Sequence, residues 1–100
     1  MNKQRLRNLT TGKLHTEMSH IYQDLELITG MGGLMTHMLP NAMRAVEPWL
    51  ETVVTDSEYW DGEYHPALDG EYDLPPMTTH QQKECLSRYQ KLPSPLFGGV

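Results

Sequence analysis

The stretch Leu14-His15-Thr16-Glu17-Met18-Ser19-His20-Ile21-Tyr22-Gln23-Asp24-Leu25-Glu26-Leu27-Ile28 decides the fold class. Within it Leu14, Met18, Ile21, Leu25 and Ile28 recur at alternating steps of four and three, the spacing of one face of an α-helix. Tyr22 widens that stripe. Thr10 and Thr11 stand where N-caps belong, and Gly30 stands where a helix-ending glycine belongs. The stripe reads as a core-facing helix.

Working outward toward the C-terminus, Gly30, Gly32 and Gly33 make a turn around Met31. Backbone amides can converge on an anion in such a turn, but no lysine follows at phosphate-loop spacing, so a helix-to-helix connection is the plainer reading. A second helix is predicted over roughly 38–54, with Pro40 in its first turn and Leu39, Met43, Val46, Leu50 and Val53 on one side. Pro48 interrupts it, since proline removes a hydrogen bond and crowds the carbonyl of Arg44; the expectation is a kink, or two short helices meeting at Glu47. Residues 55–76 have no helical period. Asp61-Gly62 and Asp69-Gly70 are turn dipeptides, and either a small hairpin with Tyr64 and Tyr72 on neighbouring strands or an irregular loop fits them. Thr78 to Gln82 opens a last helix, with Thr79 and Gln82 at capping-box spacing, Cys85, Leu86 and Tyr89 on its apolar side, and Pro93 and Pro95 as stops. The expected fold is therefore all-α: three to four short helices in one small domain of 1–100. It divides into a basic N-terminal arm 1–9, a helical core 10–54, an acidic loop 55–76, a C-terminal helix 78–92 and a tail 93–100 that packs back or frays.

One hundred residues suit a single modest core. No apolar run approaches the ~20 residues of a membrane helix, and no apolar core follows the basic start as in a signal peptide. The single cysteine, Cys85, fits a reducing compartment. These observations predict a cytoplasmic protein without a membrane partner. The net charge of −5 disfavours nucleic acid as the direct partner, because phosphate contacts supply most of that affinity.

Charge is concentrated in residues 51–73, which carry eight carboxylates and no lysine or arginine, with Asp-Gly-Glu-Tyr repeated at 61–64 and 69–72. Half of the aromatic residues lie there too: Tyr59, Trp60, Tyr64 and Tyr72. Such rings either tuck under the helices as satellite core or stand out as anchors, since tryptophan and tyrosine dominate interface hot spots, with carboxylates around them to steer a basic partner. The candidate partner-binding residues are Glu58, Tyr59, Trp60, Asp61, Glu63, Tyr64, Asp69, Glu71, Tyr72 and Asp73. A candidate ligand pocket is Gly32, Gly33, Thr36 and His37. A structural role competes there, in which Thr36 caps the second helix and His37 bonds the carbonyl end of the first.

Catalytic and metal chemistry find little support. His15 and His20 are five apart, on different faces of a helix, and His80 with Glu84 supplies only two ligands. Cys85 sits on an apolar stripe, which predicts a buried thiol. Exposed carboxylates in one loop share similar environments, whereas acid–base pairs need different ones. No catalytic residue, metal or cofactor is expected.

Three motifs resemble a family of small proteins of tailed bacteriophages and prophages: Thr10-Thr11-Gly12-Lys13-Leu14, Ile28-Thr29-Gly30, and Thr36-His37-Met38-Leu39-Pro40-Asn41-Ala42. The family pattern reads T-T-G-R-L, M-T-G-D and T-H-Q-L-P-R-A, and the likeness spans about residues 6–50. Met38 and Asn41 depart from its glutamine and arginine, so an activity carried by those two polar groups would be missing. The resemblance implies a phage setting. Joined to the acidic segment, it predicts a non-enzymatic accessory protein that binds a basic surface on a host defence or nucleic-acid-handling complex, of anti-CRISPR or anti-restriction type. Two alternatives are a nucleotide-binding protein using the glycine turn, and a homo-oligomeric regulator joined through Met18, Met31, Met35, Met38 and Met43.

Overall fold

The computed structural model describes residues 1–93, so the expectation for the tail beyond Pro93 lies outside the described residues. It is all-α, with helices α1 (Lys3–Thr11), α2 (Met18–Thr29), α3 (Leu39–Val53) and α4 (Thr79–Lys91). Short 3-10 turns at Thr36–Met38 and Ser57–Tyr59 enter α3 and follow it. The core is built from Leu6 and Leu9 of α1, Ile21, Leu25 and Ile28 of α2, Leu39, Ala42, Ala45, Val46, Trp49 and Leu50 of α3, and Cys85 of α4. Tyr59 and Met77 close it from the connecting loop.

The segment expected as a basic arm is a helix. Asn2 caps α1, its Oδ1 accepting from the amides of Gln4 (2.9 Å) and Arg5 (3.1 Å), and Gly12 ends it in the left-handed conformation at φ 72°. The buried face of α1 is half polar: Leu6 and Leu9, but also Arg7 and Asn8. Hydropathy cannot find such a face. Asn8 then shapes the turn into α2, its Oδ1 accepting from the amides of His15 (2.7 Å) and Thr16 (3.2 Å) and its Nδ2 donating to Thr16 Oγ1 (2.7 Å). Thr10 and Thr11 therefore finish α1 rather than cap α2, whose N-cap is Glu17. As a result Leu14, at 56% exposure, and Met18 lie outside the core, and only Ile21, Leu25 and Ile28 of the predicted stripe are buried.

α3 runs unbroken through Pro48, so of the two outcomes expected there, a kink or two short helices, the second does not occur. Glu47 and Pro48 lie on the exposed side, where solvent can take the carbonyl that the missing N–H leaves free. α4 packs along α3, with Arg88 Nε donating to Ala45 O (2.8 Å) and Asn41 Nδ2 to Pro93 O (2.8 Å). Its capping box is Thr78 with Gln81, one residue earlier than the sequence suggested: Thr78 Oγ1 accepts from the Gln81 amide (3.1 Å), and Gln81 Oε1 from the Thr78 amide (2.9 Å). Thr78→Ala should cost about 1 kcal/mol, readable as a lower urea midpoint at unchanged m-value.

No hairpin forms between Tyr64 and Tyr72. Among the described residues there is no strand, only an isolated antiparallel bridge between Asn2 and Glu71. The loop's backbone bonds are spent on α1 instead.

Candidate functional site

One side of α1 gathers the acidic loop by its carbonyl groups. Gln4 Nε2 donates to His65 O (2.8 Å) and Leu68 O (2.7 Å). Arg7 donates to Glu58 O through Nε (3.0 Å) and to Glu63 O through Nη2. Thr10 Oγ1 donates to Tyr59 O, and Lys13 Nζ to Gly62 O (3.2 Å). Gln4, Arg7 and Thr10 recur every third residue, which keeps them on one flank of the helix, and Lys13 follows just past its end. At the far end the Lys3 amide donates to Gly70 O (3.0 Å), and the Tyr72 amide to Met1 O (2.6 Å).

Arg7 is the centre of this seam. It is fully buried, and its charge faces Asp61 Oδ1 at 3.5 Å. A buried guanidinium is tolerated only when its donors are matched, and two loop carbonyls plus one carboxylate do this. With Arg5 held by Asp24 and Lys13 on Gly62, three of the four cations at the N-terminus are turned onto the protein itself.

The candidate partner-binding residues separate into two groups. Tyr59 is only 2% exposed and meets Tyr72 edge-on, with ring centroids 5.1 Å apart, so it cannot contact a partner as expected. Trp60 and Tyr72 are half-buried and anchored to the end of α3, Trp60 Nε1 donating to Val54 O (2.8 Å) and Tyr72 Oη to Val53 O (3.3 Å). Burial pushes both tyrosine hydroxyls up in pKa, with nearby carboxylates adding to it. These three rings are satellite core, because each amphipathic ring has a carbonyl or another ring to meet inside. Asp61 is committed as well: its Oδ1 accepts from the Glu63 amide (2.9 Å) and its Oδ2 meets His65 Nε2 (2.9 Å). The Glu63 amide, then His65, hold its carboxyl below the usual range. Glu71 pairs with the Met1 nitrogen (3.0 Å), and Glu58 is half-buried beside Arg7. What remains outward is Glu63, Asp69 and Asp73, all exposed, with Tyr64 at 82% exposure.

His15 sits behind Arg7, its Nδ1 3.5 Å from Nη1 and its Nε2 2.9 Å from Thr11 Oγ1. Loss of solvent, then the charges of Arg7 and Lys13, lower its pKa from the ordinary 6.5. Between that value and the lower folded value the unfolded chain holds the extra proton, so stability rises with pH. The contribution is complete above the unfolded pKa and is lost as pH falls through 6.5 toward the folded value. Urea midpoints should fall between about pH 7 and about pH 5, and His15→Gln should flatten that slope.

The second candidate site dissolves into turns. Gly30 ends α2 at φ 74°, its amide on Glu26 O (2.9 Å). Thr36 lies in the 3-10 turn with its hydroxyl on Tyr22 Oη (2.7 Å), while His37 is exposed and bonds no carbonyl of α2 among the described residues. Neither the cap by Thr36 nor the bond from His37 is formed. The N-cap position of the turn is Met35, whose amide meets Met38 Sδ (3.3 Å). Of the methionines proposed for self-association, Met18 and Met35 are exposed, and Met31, Met38 and Met43 pack against the core. Cys85 is fully buried and its thiol pKa is raised by that burial.

Sequence reasoning missed a groove of about 570 Å³ on the other flank of α1. Ile28, Leu74 and Met77 give it an apolar floor with Leu27 at its mouth, and Met1, Arg5, Asp24, Glu71 and Gln82 lie around it. Neither Gly32, Gly33, Thr36 nor His37 lines it. The signal was Leu27, an apolar residue off the buried stripe of α2 and 79% exposed.

A family model described as a domain of unknown function, DUF7736, matches residues 1–56. The chain belongs to the DUF7736 family. The matched segment covers α1, α2 and α3 and stops at Asp56, at the start of the acidic loop. No curated protein and no solved structure matches the chain. Within the DUF7736 segment the short threonine motifs are helix-ending devices. Thr11 Oγ1 donates to Arg7 O (2.7 Å) ahead of Gly12, and Thr29 Oγ1 donates to Leu25 O (2.6 Å) ahead of Gly30. Asn41, one of the two departures, is buried and holds Pro93 at the end of α4. Among the described residues no helix is long and apolar enough to cross a membrane, and no group of three or more histidine, cysteine or acidic side chains converges as a metal site.

Proposed function

We propose that this protein is a non-enzymatic binding module that docks a basic surface of another protein through the outward carboxylates of its loop. The observation that carries this reading is the seam along α1. It takes the loop's carbonyls inward and leaves Glu63, Asp69 and Asp73 exposed, their side-chain carboxylates without a hydrogen-bond or ion-pair partner among the described residues. Carboxylates fixed on an ordered backbone pre-organise a negative face, which speeds encounter and selects a positive partner. The resemblance of the threonine motifs to tailed-phage proteins supports a host-cell cytoplasmic setting. There the partner is a defence or nucleic-acid-handling complex, and the carboxylates stand in for phosphates.

The test is capture from a bacterial lysate at low salt by the wild-type chain and by the triple variant Glu63→Lys, Asp69→Lys, Asp73→Lys. Asp61 and Glu71 are left alone because both hold the fold. A basic protein retained by the wild type, released by salt and absent from the variant is the expected result. Identical capture by both overturns the reading.

A further inference from the structure

We infer that His15 and Arg7 form an acid-released latch: a proton taken up on His15 Nδ1 loosens Arg7 from residues 61–63 of the loop and frees that limb while the helices stay folded. The inference goes beyond the docking reading and does not depend on it. The hydrogen-bond roles around Thr11 carry it. A hydroxyl oxygen has one proton and two lone pairs. Thr11 Oγ1 lies 2.7 Å from Arg7 O, a carbonyl that can only accept, so the hydroxyl proton is used there. One lone pair takes the Lys13 amide (3.1 Å). The other meets His15 Nε2 (2.9 Å), which therefore carries a hydrogen and donates it. A neutral imidazole protonated on Nε2 has a bare Nδ1. That Nδ1 faces Arg7 Nη1 at 3.5 Å. The other nitrogens of Arg7 hold the loop, Nε on Glu58 O and Nη2 on Glu63 O with Asp61 Oδ1 at 3.5 Å. A second proton on His15 thus has one place to go, the atom that faces the guanidinium. It sets donor against donor and cation against cation beside a side chain that has no exposure. His15 itself is half-buried, so water can deliver the proton.

The surrounding charges leave His15 as the trigger. Lys13 adds positive charge beside it, and no carboxylate pairs with it among the described residues. At the start of α2, Glu17 is exposed and His20 is turned to Thr16 Oγ1 (2.8 Å). Across the seam, Asp61 and the half-buried Glu58 lie by Arg7. Asp61 stays ionised through the histidine range, because the Glu63 amide and then His65 hold its carboxyl low. His65 meets Asp61 Oδ2 from four residues along the same loop, so that bond moves with the limb and does not cross the seam. Loss of solvent, then Arg7 and Lys13, lower the pKa of His15 while the latch is closed, so the proton favours release as pH falls through 6.5. One proton allows at most about a tenfold gain in the released fraction per pH unit. Tyr59 in the core and Gln4 on His65 O hold the limb's two ends, which keeps the release local. Release carries Glu63 out of the fixed negative face, and this consequence alone rests on the basic-partner reading.

The experiment is a nuclear magnetic resonance titration of the full chain, isotopically labelled, from about pH 8 to about pH 5, the range in which histidine changes charge. It is run on the wild type, on His65→Gln, which removes the loop's own imidazole, and on His65→Gln with His15→Asn, whose amide oxygen stands in for Nδ1 and does not titrate. Imidazole nitrogen shifts should show neutral His15 protonated on Nε2 at the upper end. In the wild type and in His65→Gln, the amides of residues 61–63 should shift with the midpoint of His15, and their order parameters should fall below about 0.6. The Arg7 Nε–H should exchange faster with water over the same interval, while the amides of Leu25, Val46 and Tyr59 hold their positions. With His15→Asn the limb should stay closed throughout. A neutral His15 protonated on Nδ1 overturns the inference. So does a limb that stays ordered while His15 charges, or one that opens with the same pH dependence after His15→Asn. Loss of the α2 and α3 signals together with those of 61–63 would make the event global unfolding and also overturn it. None of these readouts involves a partner, so the basic-partner reading stands or falls separately.

Discussion

Arg7→Met should lower stability by about 2–5 kcal/mol, since it leaves two loop carbonyls without donors at about 1–3 kcal/mol each. For a domain of this size that is a fall on the order of 10 °C or more in melting temperature. The reason is specific. Methionine fills the stem's space but leaves the carbonyls of Glu58 and Glu63 without donors and Asp61 without its facing charge. Arg7→Lys should recover only part of the loss, because one ammonium cannot reproduce the fork that meets two carbonyls at once. Amide exchange across residues 57–72 should accelerate in both variants before the helices open. A melting curve for Arg7→Met within about 1 kcal/mol of wild type would show that the seam is not held by this guanidinium.

Leu25→Ala comes second, at about 2–5 kcal/mol. Leu25 is fully buried on α2, the helix that touches α1, α3 and α4. Truncation there removes contacts from three directions, and helices held by one another cannot all move in to fill the space. The check is a denaturant titration, with a lower midpoint and an unchanged slope as the expected outcome. Leu27→Ala, two residues on but exposed, should stay within about 0.5 kcal/mol and serves as the control.

The two variants mark what was legible in the sequence. Leu25 belongs to a period of 3.6, and that period, with caps and with glycine and proline stops, located α2, α3 and α4 and the all-α class. Arg7 could not be found that way. A helix whose inner face carries Arg7 and Asn8 looks like a solvated arm to any reading by hydropathy, and only Asn2 and Gly12 at its ends hinted otherwise. The same blindness hid the fate of the loop. Composition identified an acidic, ring-bearing stretch correctly. Whether Tyr59 or Tyr64 faced inward depended on carbonyl groups, which every residue carries alike, finding their donors on a helix some fifty positions away. Leu14 failed for a local reason: the Gly12 turn and the Asn8 clasp delay α2 until Met18, so the first residue of a perfect stripe lies outside the helix.

The bonds from α1 to the loop join residues 51 to 64 positions apart where Arg7 meets Glu58 and Gln4 meets Leu68. A ribosome delivers roughly 5–20 residues each second, so the first helix emerges and then waits on the order of seconds for the strip that completes it. During that interval Arg7 stays hydrated, α2 and α3 can already pair, and the negative face does not yet exist. The acidic stretch thus reaches α1 after α2 and α3 have emerged and ahead of α4.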